Sequence, residues 1–303
     1  MKRRIHYIFD VILKMIMDSY ANEFLEFIGE ERKIKKVLKT EYQTKKGRIM
    51  TLDFLCQLQD DTLLNIEFQF TGPNGYDLDR FFDYNILSQT NFDELCETSV
   101  ILFKTNRSGQ KSRKIGKSKS MHPNFFYLGD IDFMKTLNTI EDKVENNIRL
   151  TDFDEISLLL MCILPKYKNK FEILKRICNI HKKVELLNKE KIDTFEAIIG
   201  IEIENFIEKN KQNQLMEVLN MSPQSKEMME NAINHAIKKS VEREKQQIYQ
   251  QGKEEGIKEG KKEGIKEGKK EEKEKIAKNL KKYHTPEEIS KITGLTLATI
   301  LKL

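Results

Sequence analysis

The chain has 303 residues, 39% of them apolar and 33% charged, with 53 basic residues against 48 acidic ones and a formal net charge of +5. That length accommodates one sizeable domain with additions, or two smaller domains, and the composition allows a real core while leaving part of the chain heavily solvated. The small charge excess excludes an argument for nucleic-acid binding from bulk charge alone, so the placement of the cations matters more.

The opening stretch MKRRIHYIFDVILKMIMD is basic at its start but interrupted by Asp10, Lys14 and Asp18, which does not fit a signal peptide. Ile8 to Ile28 reads as an amphipathic helix, with Ile8, Ile12, Met15, Tyr20, Phe24 and Phe27 near helical spacings and Gly29 as its stop. Lys36 to Leu58 is strand-like, broken at Lys45-Lys46-Gly47. The polar Gln59-Asp60-Asp61 separates MTLDFLCQL from LLNIEFQF and predicts a hairpin, ended by Gly72-Pro73-Asn74-Gly75. A helix is expected over Asp77 to Thr90, then a buried strand at TSVILFK. Strand, helix and strand in that order imply an α/β domain over about residues 1–135.

Residues 104–120 change character: Lys104, Arg107, Lys111, Arg113, Lys114, Lys117 and Lys119 occur with no acid and no aromatic. Strand-like texture resumes at NFFYLGDIDF, and residues 136–248 are helical in pattern, punctuated by Pro165 and Pro223. The longest apolar run, ISLLLMCIL, is well short of the roughly 20 residues a membrane span needs. Glycines at 252, 256, 260, 264 and 268 mark a Lys/Glu/Gly repeat over 249–282. Each glycine costs a helix roughly 1 kcal/mol relative to alanine, and Glu–Lys pairs four apart return a few tenths each. Its nearly balanced charge fits a solvated helical linker, with helix pairing between two copies as the alternative. Over 283–303, Thr285, Pro286 and Glu288 predict a capped helix, Gly294 its stop and Thr296 the next cap, giving a helical hairpin. Cys56, Cys96, Cys162 and Cys178 form no CxxC pair and the five histidines complete no zinc set, which predicts buried reduced thiols in a cytoplasmic protein.

The candidate chemistry lies on the hairpin. In LNIEFQF, Leu64, Ile66, Phe68 and Phe70 alternate with Asn65, Glu67 and Gln69, as in a half-buried strand. On the preceding strand, Met50, Leu52, Phe54 and Cys56 are expected on one face, with Thr51, Asp53, Leu55 and Gln57 on the other. A turn centred near Asp60 places Asp53 opposite Glu67, whereas a slip of two places Asn65 or Gln69 opposite Asp53 and keeps the two acids diagonal neighbours. Like charges across a strand pair destabilise a sheet, so two carboxylates there need a proton, a basic partner or a cation. Oxygen donors without histidine or thiolate favour Mg²⁺ or Mn²⁺ over zinc, and such an ion suits phosphodiester hydrolysis by a metal-activated water.

LDFL followed by NIEFQ resembles the D…E-x-Q form of the PD-(D/E)XK nuclease superfamily, and the chain resembles its recombination-promoting nuclease (Rpn) and transposase families. FDVILKMIMDSYANEFLEFIG is similar to their opening helix, DRFFDYNI to their R-x-x-x-Y helix, and the glycine repeats and EEISKITGL to their C-terminal segments. The resemblance implies a restriction-endonuclease-like core, a mixed sheet flanked by helices, followed by an α-helical region and a helical tail. It implies that Asp53 and Glu67 bind the metal with the carbonyl of Phe68, and that Gln69 replaces the superfamily's lysine. Leu52 stands where the superfamily name has proline. A further acid comes from the first helix, with Asp10, Glu23 and Glu26 as candidates.

Arg80 is a candidate phosphate contact, since its fork matches phosphate oxygens; an ion pair with Asp77 or Asp83 is its other reading. Tyr84 reads as core packing. The basic stretch offers Lys104, Arg107, Lys111, Arg113, Lys114 and Lys117 for sequence-independent phosphate contacts, and its lack of aromatics argues against base stacking. The expectation is a Mg²⁺-dependent DNA endonuclease associated with recombination or transposition, without membrane contact. Self-association through the C-terminal helices is a further expectation. The alternative is a non-catalytic DNA-binding or assembly protein that retains the fold.

Overall fold

Ile8, Ile12, Ile16, Tyr20 and Phe24 recur every four positions and are all buried, so one stripe of the first helix is committed to the core. In the computed structural model, which describes residues 2–43, 49–103, 109–115, 119–164 and 169–303, this helix, α1, spans Lys2–Phe27 and bends at Tyr20 (φ −128°, ψ 26°). Gly29, at φ +84°, turns the chain out of it.

Strands β1 (Ile34–Val37), β2 (Glu41–Gln43), β3 (Ile49–Thr51), β4 (Phe54–Leu58) and β5 (Leu63–Gln69) follow, then helix α2 (Gly75–Phe92) and strand β6 (Cys96–Leu102). After them come β7 (Arg113–Ile115), β8 (Lys119–Met121) and β9 (Asn124–Tyr127). The main sheet has five strands in the order β1-β4-β5-β6-β9. The pairs β1–β4 and β4–β5 are antiparallel, whereas β5–β6 and β6–β9 are parallel. Parallel neighbours need a crossover, and α2 supplies it between β5 and β6. The fold is therefore α/β, with a mixed sheet flanked by helices. The ribbons β2–β3 and β7–β8 stand apart from this sheet.

The hairpin forms in the expected register: Phe54 pairs with Ile66 and Gln57 with Leu63, around a turn with Asp61 at φ 68°. The strand leading into it is not continuous. Leu52 and Asp53 belong to no strand, and β3 pairs with β2 instead. This break shifts the faces. Met50 and Leu52 pack with Leu55 in one core, while Phe54 and Cys56 lie in the other. The expected grouping of Met50 and Leu52 with Phe54 and Cys56 is corrected accordingly.

Helices α3 (Phe133–Glu145), α4 (Asp152–Ile163), α5 (Lys170–His181), α6 (Ile192–Phe206) and α7 (Lys209–Leu219) follow, and Pro223 opens α8 (Pro223–Leu280). The chain divides into two units, Met1–Lys238 and Lys239–Leu303. No boundary falls near residue 135, because Phe24 of α1, Ile66 and Ile101 of the sheet, Phe133, Leu160 and Ile199 share one core. α1 and the later helices cover one face of the sheet; α2 covers the other through Leu78, Phe81 and Tyr84. All four cysteines are buried free thiols, as expected.

The helical layer also buries charge in pairs. Lys143 meets Asp154 at 2.8 Å, His181 meets Glu196 at 2.8 Å, and Lys170 meets the fully buried Glu202. Tyr20 donates to Glu155 at 3.0 Å.

In the second unit, the glycine repeat is helical, and a Cβ at Gly252, Gly256, Gly260, Gly264 or Gly268 would meet nothing within 4 Å. The terminal helices α9 (Pro286–Thr293) and α10 (Leu297–Lys302) form the expected hairpin. Thr285 and Glu288 make a capping box, Gly294 (φ 68°) ends α9, and Thr296 caps α10. Ala277, Ile289 and Ile300 are its buried centre.

Candidate active site

β5 is central in its sheet, with helices on both faces, so neither face meets bulk water over Leu63–Glu67, and only Phe68 and Gln69 at its end are half-buried. The expected half-buried strand is corrected here. Asn65 is 0% exposed and Glu67 2%, both on the α2 side with Leu63, while Leu64, Ile66 and Phe68 pack toward α1. Gln69, two residues beyond Glu67, is half-buried on the same face.

Asp53 lies just before β4, and the β4–β5 ladder extended by one residue sets it against Glu67. Asp53 is exposed, and its Oδ2 accepts the backbone N–H of Phe68 at 2.9 Å. Glu67 is held well above the usual glutamate range, first by burial and then by the negative charge of Asp53. Arg80 and, after it, the Asp53 backbone N–H pull the other way. One oxygen of Glu67, Oε1, is buried with no hydrogen-bond partner, and Oε2 lies 3.7 Å from Nη2 of Arg80.

Arg80 is positioned by α2. Asn74 caps that helix, accepting from the N–H groups of Tyr76 and Asp77, and Asp77 accepts back from the Asn74 N–H. Arg80 stacks over the rings of Phe81 and Tyr84, 5.2 and 5.8 Å from their centroids, and also lies 3.8 Å from Asp77. Its Nε is buried without a partner. The expected ion pair of Arg80 with Asp77 is present, and the same guanidinium also reaches Glu67. Tyr84 is core packing, as expected.

The first-helix acids stand elsewhere. Glu23 pairs with Lys191 at 2.7 Å, and Lys191 also meets Asp152 at 3.3 Å. Glu26 pairs with Lys33 at 3.4 Å, and Asp10 is half-buried on α1. Among the described residues no group of three or more His, Cys, Asp or Glu side chains is arranged to hold a metal ion. Neither Asp10 nor Glu23 therefore joins Asp53 and Glu67 in such a group.

No family model, curated protein or solved structure matches the chain.

Of the cations in the basic stretch, Lys104, Arg107 and Lys117 lie outside the described residues. Lys111 and Lys114 are exposed. Arg113 is not a freely solvated cation, because its Nε and Nη2 contact both oxygens of Asp79 at 2.9 and 3.0 Å.

Sequence reasoning missed a buried polar layer beneath α2. Asn85 donates to the Cys96 carbonyl at 3.2 Å and accepts from Thr98 at 2.7 Å. Nearby in the fold, both polar atoms of Asn65 and the Ser88 hydroxyl are buried without partners. The available signal was three polar residues, Asn65, Glu67 and Gln69, in a strand whose neighbours leave no room for solvent.

Two carboxylates with one orphaned buried oxygen fit a hard divalent cation. Mg²⁺ commonly takes one or two carboxylates and completes its shell with water and phosphate oxygens.

Proposed function

We propose that this chain is a metal-dependent DNA endonuclease. The observation that carries this reading is the meeting of Asp53 and Glu67 on one hairpin, with a buried Glu67 oxygen that no protein group satisfies. Asp53 and Glu67 would hold Mg²⁺ or Mn²⁺. The ion, when bound, supplies Lewis acidity toward a phosphate and acidifies a water. Gln69 orients that water through its carboxamide, a neutral group that adds no positive charge to the transition state. Arg80 supplies a charge that lysine would otherwise provide, with part of its guanidinium exposed toward a phosphate. Lys111 and Lys114 neutralise backbone phosphates.

An antiparallel hairpin followed by a helical crossover to a parallel strand supports a PD-(D/E)XK core. The resemblance to Rpn nucleases supports a cytoplasmic role in DNA recombination or transposition, with the C-terminal helices available for self-association. No helix among the described residues is long and apolar enough to cross a membrane.

One observation favours a second reading, a non-catalytic DNA-binding or assembly protein. Arg80 already provides Glu67 with a cation at 3.7 Å, and Gln69 lacks the lysine charge.

Cleavage of supercoiled plasmid with Mg²⁺, Mn²⁺ or EDTA, beside Asp53→Ala and Glu67→Ala, decides between them. Metal-dependent nicking lost in both variants is the expected result. A folded wild type that shifts DNA without cutting it overturns the nuclease reading in favour of the second.

A further inference from the structure

The basic stretch contains no aromatic residue, yet the fold brings one to it. Tyr76, in the first turn of α2, is 87% exposed, and its ring makes no aromatic or cation contact among the described residues. Tyr76 and Arg80 are four residues apart on one helix and therefore neighbours on its surface. Arg80 in turn reaches Glu67. The exposed ring thus stands one helical turn from the residue that contacts the candidate catalytic carboxylate.

The cations are tied to the same place. Gln110 donates its backbone N–H to the Pro73 carbonyl at 2.7 Å, in the loop that leads into α2. Gly109, at φ +117°, lies so close to Gly72 that a Cβ would come within 2.7 Å of its backbone. A Cβ on Gly75, the residue before Tyr76, would lie 3.0 Å from the guanidinium of Arg113. Arg113 is fixed to α2 by its two contacts with Asp79. Lys111 and Lys114 flank Arg113 and face solvent.

We propose that Tyr76 is a stacking platform for an unpaired DNA base, with Lys111 and Lys114 gripping the adjoining backbone, so that the preferred substrate is single-stranded DNA or a duplex with an unpaired segment at the scissile phosphate. This rests on the nuclease reading for its catalytic consequence, but the binding surface stands on its own geometry. Stacking needs a π-face rather than a particular base, so the preference is for strandedness and not for sequence. An intact duplex keeps its bases stacked internally and offers Tyr76 none, whereas its phosphates remain open to the lysines.

The test uses the full chain in EDTA, so that cleavage plays no part, with labelled oligo(dT) and a duplex of equal length. Tyr76→Ala is expected to weaken oligo(dT) binding about tenfold or more, the size of one base–aromatic stack. Tyr76→Phe should restore it, and duplex binding should change less than twofold in either variant. Lys111→Ala with Lys114→Ala should weaken both ligands and flatten their salt dependence. The chain contains no tryptophan, so Tyr76→Trp introduces a single indole whose emission should be quenched by oligo(dT) and not by duplex. Unchanged oligo(dT) binding by Tyr76→Ala overturns the proposal, as do an equal loss for both ligands and a wild type that binds neither. Plasmid cleavage is scored separately. A protein that cuts without Tyr76-dependent binding loses this inference and keeps the nuclease reading; one that binds through Tyr76 without cutting does the reverse.

Discussion

Asp53 and Glu67 face each other at the open end of the β4–β5 hairpin, the first exposed and the second 2% exposed. The Phe68 N–H binds the Asp53 carboxylate at 2.9 Å, while the Asp53 N–H favours the charged form of Glu67. Each acid is thus engaged by a backbone N–H of the segment opposite, Asp53 by Phe68 and Glu67 by Asp53 itself. A buried carboxylate beside an exposed one is costly to a sheet and useful to a cation.

That cost makes Glu67 titration a measure of the site. A carboxyl whose pKa rises on folding binds its proton more tightly when folded, so its contribution to stability is fullest below the unfolded value of 4.5 and declines as pH rises toward the raised value. In EDTA, Glu67→Gln should therefore melt above wild type at pH 8, with the gap closing toward pH 4.5. For a unit of this size the scale is about 2–4 °C per kcal/mol. Adding Mg²⁺ should raise the wild-type melting temperature, by about 2.7 kcal/mol of stability at a hundred times the dissociation constant, and leave Glu67→Gln unmoved. Calorimetric scans with and without Mg²⁺ check both parts.

Asn65 buries a carboxamide whose two polar atoms lack partners. Replacing an unsatisfied buried polar group by an apolar one of similar shape is neutral or stabilising, on a scale of about 1–3 kcal/mol. Asn65→Leu should therefore unfold at equal or higher denaturant concentration than wild type. A variant that loses stability instead would show that ordered water satisfies Asn65.

Gly109 combines a left-handed backbone with a contact that admits no side chain. Gly109→Ala is expected to cost more than the roughly 0.4–1 kcal/mol that backbone entropy returns for such a change, and to release the ribbon from the Gly72–Pro73 backbone. Limited proteolysis should then cut near residues 109–115 sooner than in wild type, with global melting little changed.

In the helical layer, burial raises the Glu202 carboxyl to about 7, with Lys170 opposing the shift. Its contribution to stability is fullest below 4.5 and falls as pH rises through 7. Removing the cation strands a buried charge, so Lys170→Met should lose about 3–5 kcal/mol at pH 8 and much less at pH 5, where Glu202 is neutral. Urea melts at the two pH values measure the difference.

The hairpin register was legible because alternation and a two-acid turn leave few ways to pair the strands. The Thr285 and Thr296 caps were equally legible, since capping depends on residues within four positions. The break at Leu52–Asp53 was not, because MTLDFLCQL alternates well enough to read as one strand. Only pairing of β3 with β2 ends it. Burial of Asn65 and Glu67 was also misread: a polar–apolar alternation looks the same whether its polar face meets water or a helix.

Sequence alone determined the α/β order, the hairpin and the helix caps, all of which rest on short-range periodicity and turn chemistry, and it brought Asp53 and Glu67 together as direct or diagonal neighbours. The tertiary structure decided what lies against these elements. It placed α2 over the polar face of β5, directed Glu23 to Lys191, joined residues 1–135 to the helical region in one core, and set Gly75, the neighbour of Tyr76, against a ribbon more than thirty residues away. Such contacts arise from close packing between segments distant along the chain, and no local pattern encodes which distant segment supplies the partner.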